Sequence, residues 1–198
     1  MELFLDIDGV ILDFEGAFTD FIRDQYMPDL PTDFGPKTWD MVNEFEGVDI
    51  DEAWDIFVNS ERFRRVNLLI EANSFNQLSE KYPLYLVSNL PLEQFSGREE
   101  NLKYHSLNYK ELHLAGHYNF GLETYPTKSE KIAKLRHENK RLVFLDDHPT
   151  NCKDVKNRFP ESEVFLMSRP HNRNAESSTW TRVSNWDEFV EKIEPKAV

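Results

Sequence analysis

The sequence lacks the features that would place the protein in several large classes. Its 198 residues include one cysteine, Cys152, which excludes an internal disulfide and leads us to expect a reducing compartment such as the cytoplasm. No apolar run approaches the length of a membrane-spanning helix, and Met1-Glu2 leads into a predicted strand without a signal peptide. Neither a Walker lysine loop nor a GxGxxG motif is present, which disfavours a P-loop or a dinucleotide fold.

Positive charge is also scarce. The chain has 23 Lys and Arg against 36 Asp and Glu, for a formal net charge of −13. This charge argues against binding to nucleic acid polymers or to anionic membranes. Aromatic residues are abundant at 13%, and 39% of all residues are hydrophobic, so we expect a globular chain with a substantial core.

Short apolar runs alternate with helical patterns along most of the chain. Each run is typical of a buried parallel strand, and the runs lie at 3–5, 84–87, 112–114, 142–145 and 164–167, with a short edge strand at 180–183. Helical patterns separate these runs. The alternation predicts an α/β fold, a Rossmann-like three-layer sandwich with a mainly parallel sheet.

One segment interrupts the alternation. Residues 16–70 contain no convincing strand, and their pattern indicates short helices near 38–46 and 51–59. We therefore predict a small helical insertion at 16–70 within a core made of 1–15 and 71–198. Most of its aromatic residues are expected to form its own small core, and the alternative for a few of them is stacking on a flat ligand.

Pairs of acidic residues follow two of the strands. Asp6 and Asp8 project to the same side of an extended chain, and Asp146 and Asp147 end the most apolar run. Carboxylates brought together repel unless a cation, a shared proton or a ligand compensates. The pairs are therefore candidates for metal binding and acid–base chemistry, although an ordinary Asp-Gly turn is an alternative for the first pair.

Groups suited to an anion occupy similar positions. Ser88 and Asn89 follow the second strand, and Arg169 lies in a basic loop after the fifth. Lys128 lies in the first turn of a predicted helix, where the helix dipole disfavours a cation, so an anion nearby would explain it. Because ligands bind at the carboxyl ends of parallel strands, we expect these residues to form one site with the acidic pairs.

In order, these motifs resemble those of haloacid dehalogenase superfamily phosphatases. The matching segments are Asp6-Ile7-Asp8-Gly9-Val10, Ser88, Lys128 (or Lys131) and Asp146-Asp147. Within that superfamily, the segments DIDGVILDFEGAF, FLDDHP, RPHN and RVSNWDEF look most similar to 5′(3′)-deoxyribonucleotidases. The insertion at 16–70 matches the position of the family's cap.

The resemblance implies a Mg²⁺-dependent phosphomonoester hydrolase that forms an aspartyl-phosphate, with a nucleoside monophosphate as the expected substrate. Asp6 would be the nucleophile, and Asp8 would be the general acid and base. The Asp6 carboxylate, the Asp8 carbonyl and Asp146 or Asp147 would hold Mg²⁺. The groups assigned to the phosphoryl oxygens are Ser88, Asn89 and Lys128, and those assigned to the nucleoside are Phe14, Trp39 and Arg169.

Two alternatives remain open on the sequence. A sugar phosphate or another small phosphomonoester would also suit such a site. The chain could instead be a non-catalytic protein of the same fold that binds a nucleotide or a partner.

Overall fold

Six strands form one sheet in the order β3-β2-β1-β4-β5-β6. The structure is a computed structural model, and it describes residues 1–38, 41, 43–115 and 126–194. Every strand pair is parallel, which confirms the predicted α/β class. The strands are β1 Glu2–Leu5, β2 Leu84–Ser88, β3 Glu111–Leu114, β4 Leu142–Asp146, β5 Glu163–Met167 and β6 Thr181–Val183.

Seven helices lie within the described ranges. They are α1 Phe14–Gln25, α2 Ile50–Val58, α3 Ala72–Lys81, α4 Phe95–Tyr104, α5 Lys128–Leu135, α6 Pro149–Arg158 and α7 Trp186–Ile193. None of them is long and apolar enough to cross a membrane. The helix predicted near 38–46 is wrong for the residues described there, which form turns, and Met41 has a left-handed φ of 53° that interrupts helical geometry.

The helices cover both faces of the sheet. Leu3 and Leu5 of β1 pack in one hydrophobic cluster with side chains of α3 and α7, and Phe4 packs in a second cluster with side chains of α5 and α6. This division follows from the alternation of side chains along a strand. The result is the predicted three-layer sandwich.

The chain leaves the core after Asp13 and returns to it at Asn67, and the segments on either side of this excursion are adjacent. The Asp13 N–H donates to the Asn67 carbonyl at 2.9 Å, and the Leu69 N–H donates to the Ile11 carbonyl at 2.8 Å. The segment therefore starts and ends beside the carboxyl end of β1. Its aromatic side chains pack on one another, as expected, with Phe57 against Phe14, Phe18 and Phe21 at centroid distances of 5.4–5.5 Å.

We predict that Phe57→Ala lowers the free energy of unfolding by about 3–5 kcal/mol, because the ring is fully buried and its removal leaves a cavity. Denaturant unfolding measures the change. The control is Ile56→Ala on the same helix, where the side chain is 47% exposed and a change within about 0.5 kcal/mol is expected. Equal losses in the two variants would contradict the packing described here.

Candidate active site

Three carboxylates meet at the carboxyl edge of the sheet. Because β1 and β4 are paired in register, with the Asp6 N–H donating to the Leu145 carbonyl at 2.9 Å, the residues that follow these strands are neighbours. Asp6, Asp146 and Asp147 are buried, and each offers an oxygen within 4.8 Å of the other two. The structure therefore brings Asp6 of the first predicted acidic pair together with both members of the second.

The ammonium of Lys128 bridges two of these carboxylates. Its Nζ lies 2.7 Å from Asp6 Oδ1 and 2.7 Å from Asp146 Oδ2, and the side chain is 1% exposed. The capping box of Thr127 and Glu130 starts α5 at this point, which directs Lys128 into the site. It is thus Lys128 that contacts the acidic cluster, and Lys131 is half-buried one turn further along α5.

The cluster has an excess of negative charge. Burial and the charge of Asp146 raise the pKa of Asp6 well above its usual value, although Lys128 opposes this shift. Burial lowers the pKa of Lys128, but the charges of Asp146 and Asp6 outweigh it and raise the pKa overall. Both directions indicate that the site favours additional positive charge.

Asp147 packs directly against the turn that follows β1. Gly9 in this turn has a φ of +77°, and a Cβ there would lie 2.0 Å from Asp147 Oδ2. A side chain at position 9 would therefore collide with the carboxylate as well as strain the backbone. Asp147 Oδ1 is buried and has no hydrogen-bond partner in the part of the chain that the structure describes.

The loop after β5 holds Asp147 from the other side. His171 Nε2 lies 3.2 Å from Asp147 Oδ2, and His171 Nδ1 lies 3.3 Å from Glu15 Oε2. The Asn172 amide donates to the Asp147 carbonyl at 2.7 Å. Burial lowers the pKa of His171, but Asp147 and Glu15 outweigh it and raise this pKa to about 10. In the RPHN segment the sequence pointed to Arg169, and nothing in the local pattern distinguished His171 or Asn172.

Asp8 points to different partners. Its Oδ1 accepts from Arg98 Nη2 at 2.5 Å, and its Oδ2 accepts from the Ser88 hydroxyl at 3.2 Å. Burial raises the pKa of Asp8, and the charge of Arg98 opposes the shift. Sequence reasoning missed Arg98, because an arginine within the charged segment GREENLK of a helix resembles an ordinary surface residue.

The remaining predicted residues lie at varied distances from the cluster. The Asn89 side-chain oxygen accepts from the Asn151 amide at 3.0 Å, and Asn151 also donates to both Asp146 oxygens. Arg169 Nε donates to the Gly9 carbonyl. Phe14 is 6% exposed and packs against Trp54 with a centroid distance of 4.9 Å, so little of its ring can reach a ligand here. Trp39 lies outside the described residues.

A cavity of about 230 Å³ adjoins the site on the side of the helical segment. Gly9 and Arg169 connect it to the carboxylates, and Phe34 provides an aromatic ring. The described residues that line it are Gly9, Asp13, Glu15, Gly16, Thr19, Phe34, Gly35, Pro36, Leu69, Arg169 and Pro170.

Solved structures resemble this chain along most of its length. A candidate phosphatase from Clostridium difficile superposes with a TM-score of 0.66 at 14% identity, covering 97% of each chain. A candidate hydrolase from Bacillus subtilis with bound magnesium gives 0.59 at 17% identity and 97% of each chain. An L-2-haloacid dehalogenase gives 0.60 at 14% identity, covering 98% of this chain and 99% of its own. Comparison with family models and with curated proteins finds no match.

The chain shares the α/β fold of these solved structures, one of which is described as a haloacid dehalogenase (HAD) superfamily hydrolase. Identities this low establish the fold alone, and the three structures include both a dehalogenase and a candidate phosphatase. No nucleotidase is among these three, so the choice of substrate must be argued from the residues of this chain.

We predict that the contribution of His171 to the stability of the metal-free protein depends on pH. Its pKa rises from about 6.5 in the unfolded chain to about 10 in the folded one. The folded state therefore binds more protons in this range, and the stabilisation is complete below the lower value and disappears towards the higher one.

Denaturant unfolding in chelator, from pH 6 to pH 10, measures this effect. The difference in unfolding free energy between the wild type and His171→Gln should shrink as the pH rises. A difference that stays constant would mean that the imidazole is not charged in the folded protein.

Proposed function

We propose that the protein is a Mg²⁺-dependent phosphomonoester phosphatase that acts through an aspartyl-phosphate. In this proposal residues 16–70 form a cap on a catalytic core made of 1–15 and 71–198. The observation that carries it is the buried group of three carboxylates, two of which contact the ammonium of Lys128. Such a group is costly for stability, and it suits the binding of a cation together with an anion.

The residues present fit a magnesium ion. Mg²⁺ prefers oxygen ligands, and the triad supplies carboxylate oxygens within 4.8 Å of one another. Asp147 Oδ1 is a buried acceptor without a hydrogen-bond partner among the described residues, as expected of a ligand atom. Asp6, Asp146 and Asp147 would hold the ion, with the Asp8 carbonyl. When bound, Mg²⁺ lowers the repulsion between the nucleophile and the phosphate and offsets charge in the transition state.

Asp6 and Asp8 divide the chemistry between them. An Asp6 carboxylate oxygen attacks phosphorus and forms the new P–O bond while the ester P–O bond breaks. Asp8 gives its proton to the departing alkoxide, then takes one from the water that attacks the phosphoryl group and releases Asp6. We assign Ser88, Asn89 and Lys128 to the transferring oxygens, and support for Lys128 comes from its contact with Asp6.

The second acid favours a phosphatase over a dehalogenase. An alkoxide is a poor leaving group and needs a proton, whereas a halide leaves without one. Asp8 follows Asp6 by two residues, and its side chain accepts hydrogen bonds from Ser88 and Arg98. Burial raises the pKa of Asp8, which favours the protonated form. This arrangement is suited to the transfer of a phosphoryl group from an ester.

A nucleoside monophosphate is the proposed substrate. The resemblance of the motifs favours it, and the 230 Å³ cavity beside Gly9 could receive part of the leaving group near Phe34 and Arg169. Contacts from Phe14 and Trp39 stay predictions. A sugar phosphate is the alternative that the same cavity leaves open.

Asp6→Asn should lower kcat by at least about 10³-fold, because it removes the nucleophile without changing the shape of the side chain. Phosphate release from p-nitrophenyl phosphate is the assay, with Mg²⁺ and with chelator. Asp24→Asn, at an acid paired with Arg62 on the surface, is the matched control and should retain full activity. Undiminished turnover in Asp6→Asn would refute the aspartyl-phosphate. Undiminished turnover of the wild type in chelator would refute the requirement for a metal.

A panel of deoxyribonucleoside and ribonucleoside monophosphates, assayed beside sugar phosphates, tests the substrate class. We expect kcat/KM for the best nucleotide to exceed that for the best sugar phosphate by at least about tenfold, since each 1.4 kcal/mol of added transition-state binding gives that factor. Similar kcat/KM values across the panel, or faster hydrolysis of sugar phosphates, would contradict the nucleotidase proposal. Either result would still be consistent with a phosphatase.

A further inference from the structure

A buried arginine contacts the proposed acid–base residue. Arg98 of α4 is fully buried, and its Nη2 donates to Asp8 Oδ1 at 2.5 Å. Its Nη1 donates to Asn101 Oδ1 at 3.1 Å, and its guanidinium carbon lies 4.5 Å from the centre of the Phe63 ring. Its Nε has no hydrogen-bond partner among the residues described.

Stability alone is a poor explanation for this arginine. Taking a guanidinium out of water is expensive, and a buried ion pair often gives no more stability than apolar residues of similar size. Asp8 keeps 16% of its side-chain surface exposed, so its carboxylate is not wholly removed from water. The pairing is better explained by what it does to the orientation of Asp8.

We propose that Arg98 is the positioning residue for Asp8, holding Oδ1 so that Oδ2 is the oxygen that carries and transfers the proton. The proposal rests on the phosphatase function argued above. A guanidinium has five donors and no acceptor, so Oδ1 can only accept from it. Ser88 Oγ, 3.2 Å from Oδ2, is a hydroxyl that can donate or accept, and it therefore tolerates Asp8 in either protonation state.

The returning end of the helical segment keeps Arg98 in place. Phe63 covers the guanidinium and packs on Gly97, where a Cβ would lie 3.1 Å from the ring. Asn101, which accepts from Arg98, donates in turn to the Val66 carbonyl at 3.1 Å. The direction of the Asp8 carboxylate thus depends on how residues 63–66 rest on α4.

Substrates that differ in their need for a proton can separate positioning from a structural role. Methyl phosphate or the best substrate from the panel has an alkoxide leaving group, whereas 2,4-dinitrophenolate leaves without protonation. For each ester, kcat/KM of the variant is compared with kcat/KM of the wild type. This quantity reports formation of the aspartyl-phosphate, the step in which the leaving group departs. The variants are Arg98→Met, Arg98→Lys, and the control Lys103→Met on the exposed side of α4, where Lys103 pairs with Glu99.

We expect Arg98→Met to lose about 10²-fold in kcat/KM on the alkyl ester, the usual size of general acid catalysis, and about threefold or less on the dinitrophenyl ester. Arg98→Lys should recover part of the alkyl-ester rate, and Lys103→Met should match the wild type on both. Equal losses of Arg98→Met on the two esters, or no loss on either, would overturn the proposal.

Crystal structures of the wild type and Arg98→Met give a readout independent of turnover. The Asp8 side chain should keep the described orientation in the wild type and change it in the variant, and an unchanged orientation would also overturn the proposal. If the wild type hydrolyses no phosphate ester, the phosphatase function fails by itself, and the two crystal structures still decide whether Arg98 orients Asp8.

Discussion

The arrangement of this site depends on one interaction, the contact of the Lys128 ammonium with Asp6 and Asp146. Three carboxylates cannot be buried together without positive charge, and Lys128 supplies only part of it. Burial, together with the remaining negative charge, raises the pKa of Asp6. The three carboxylates at this edge of the sheet could hold a metal ion. The same lysine could contact a phosphate once an ion has joined the cluster. Lys128 would then stabilise the cluster before the ion binds and contact the phosphate afterwards.

The parallel sheet makes this contact available. The register of β1 and β4 places Asp6 beside Asp146 although the two are far apart in the chain. Gly9 then allows Asp147 to approach the backbone more closely than any side chain would permit. His171 and Asn172, from the loop after β5, orient Asp147, and Arg169 of the same loop binds the Gly9 carbonyl. Side chains that follow three different strands therefore determine the shape of one site.

The proposed acid–base residue, Asp8, is held by a different part of the molecule from Asp6. Asp6 belongs to the charge cluster of the core, but Asp8 is bound by Arg98, which itself lies under Phe63. The two aspartates are only two residues apart in sequence, and yet their side chains have separate supports. In the proposed mechanism, the packing of residues 63–66 on α4 would therefore influence proton transfer without disturbing the nucleophile.

The sequence alone was enough to predict the alternation of strands and helices and the gathering of Asp6, Lys128, Asp146 and Asp147 at one edge. These features depend on local periodicity and on the rule that the carboxyl ends of parallel strands coincide. The turns at 43–47, the burial of Phe14, and the contacts of Arg98 and His171 with the site were decided only by the tertiary structure. Each of these depends on which distant side chain lies opposite, and a buried arginine on a helix has the same local pattern as an exposed one.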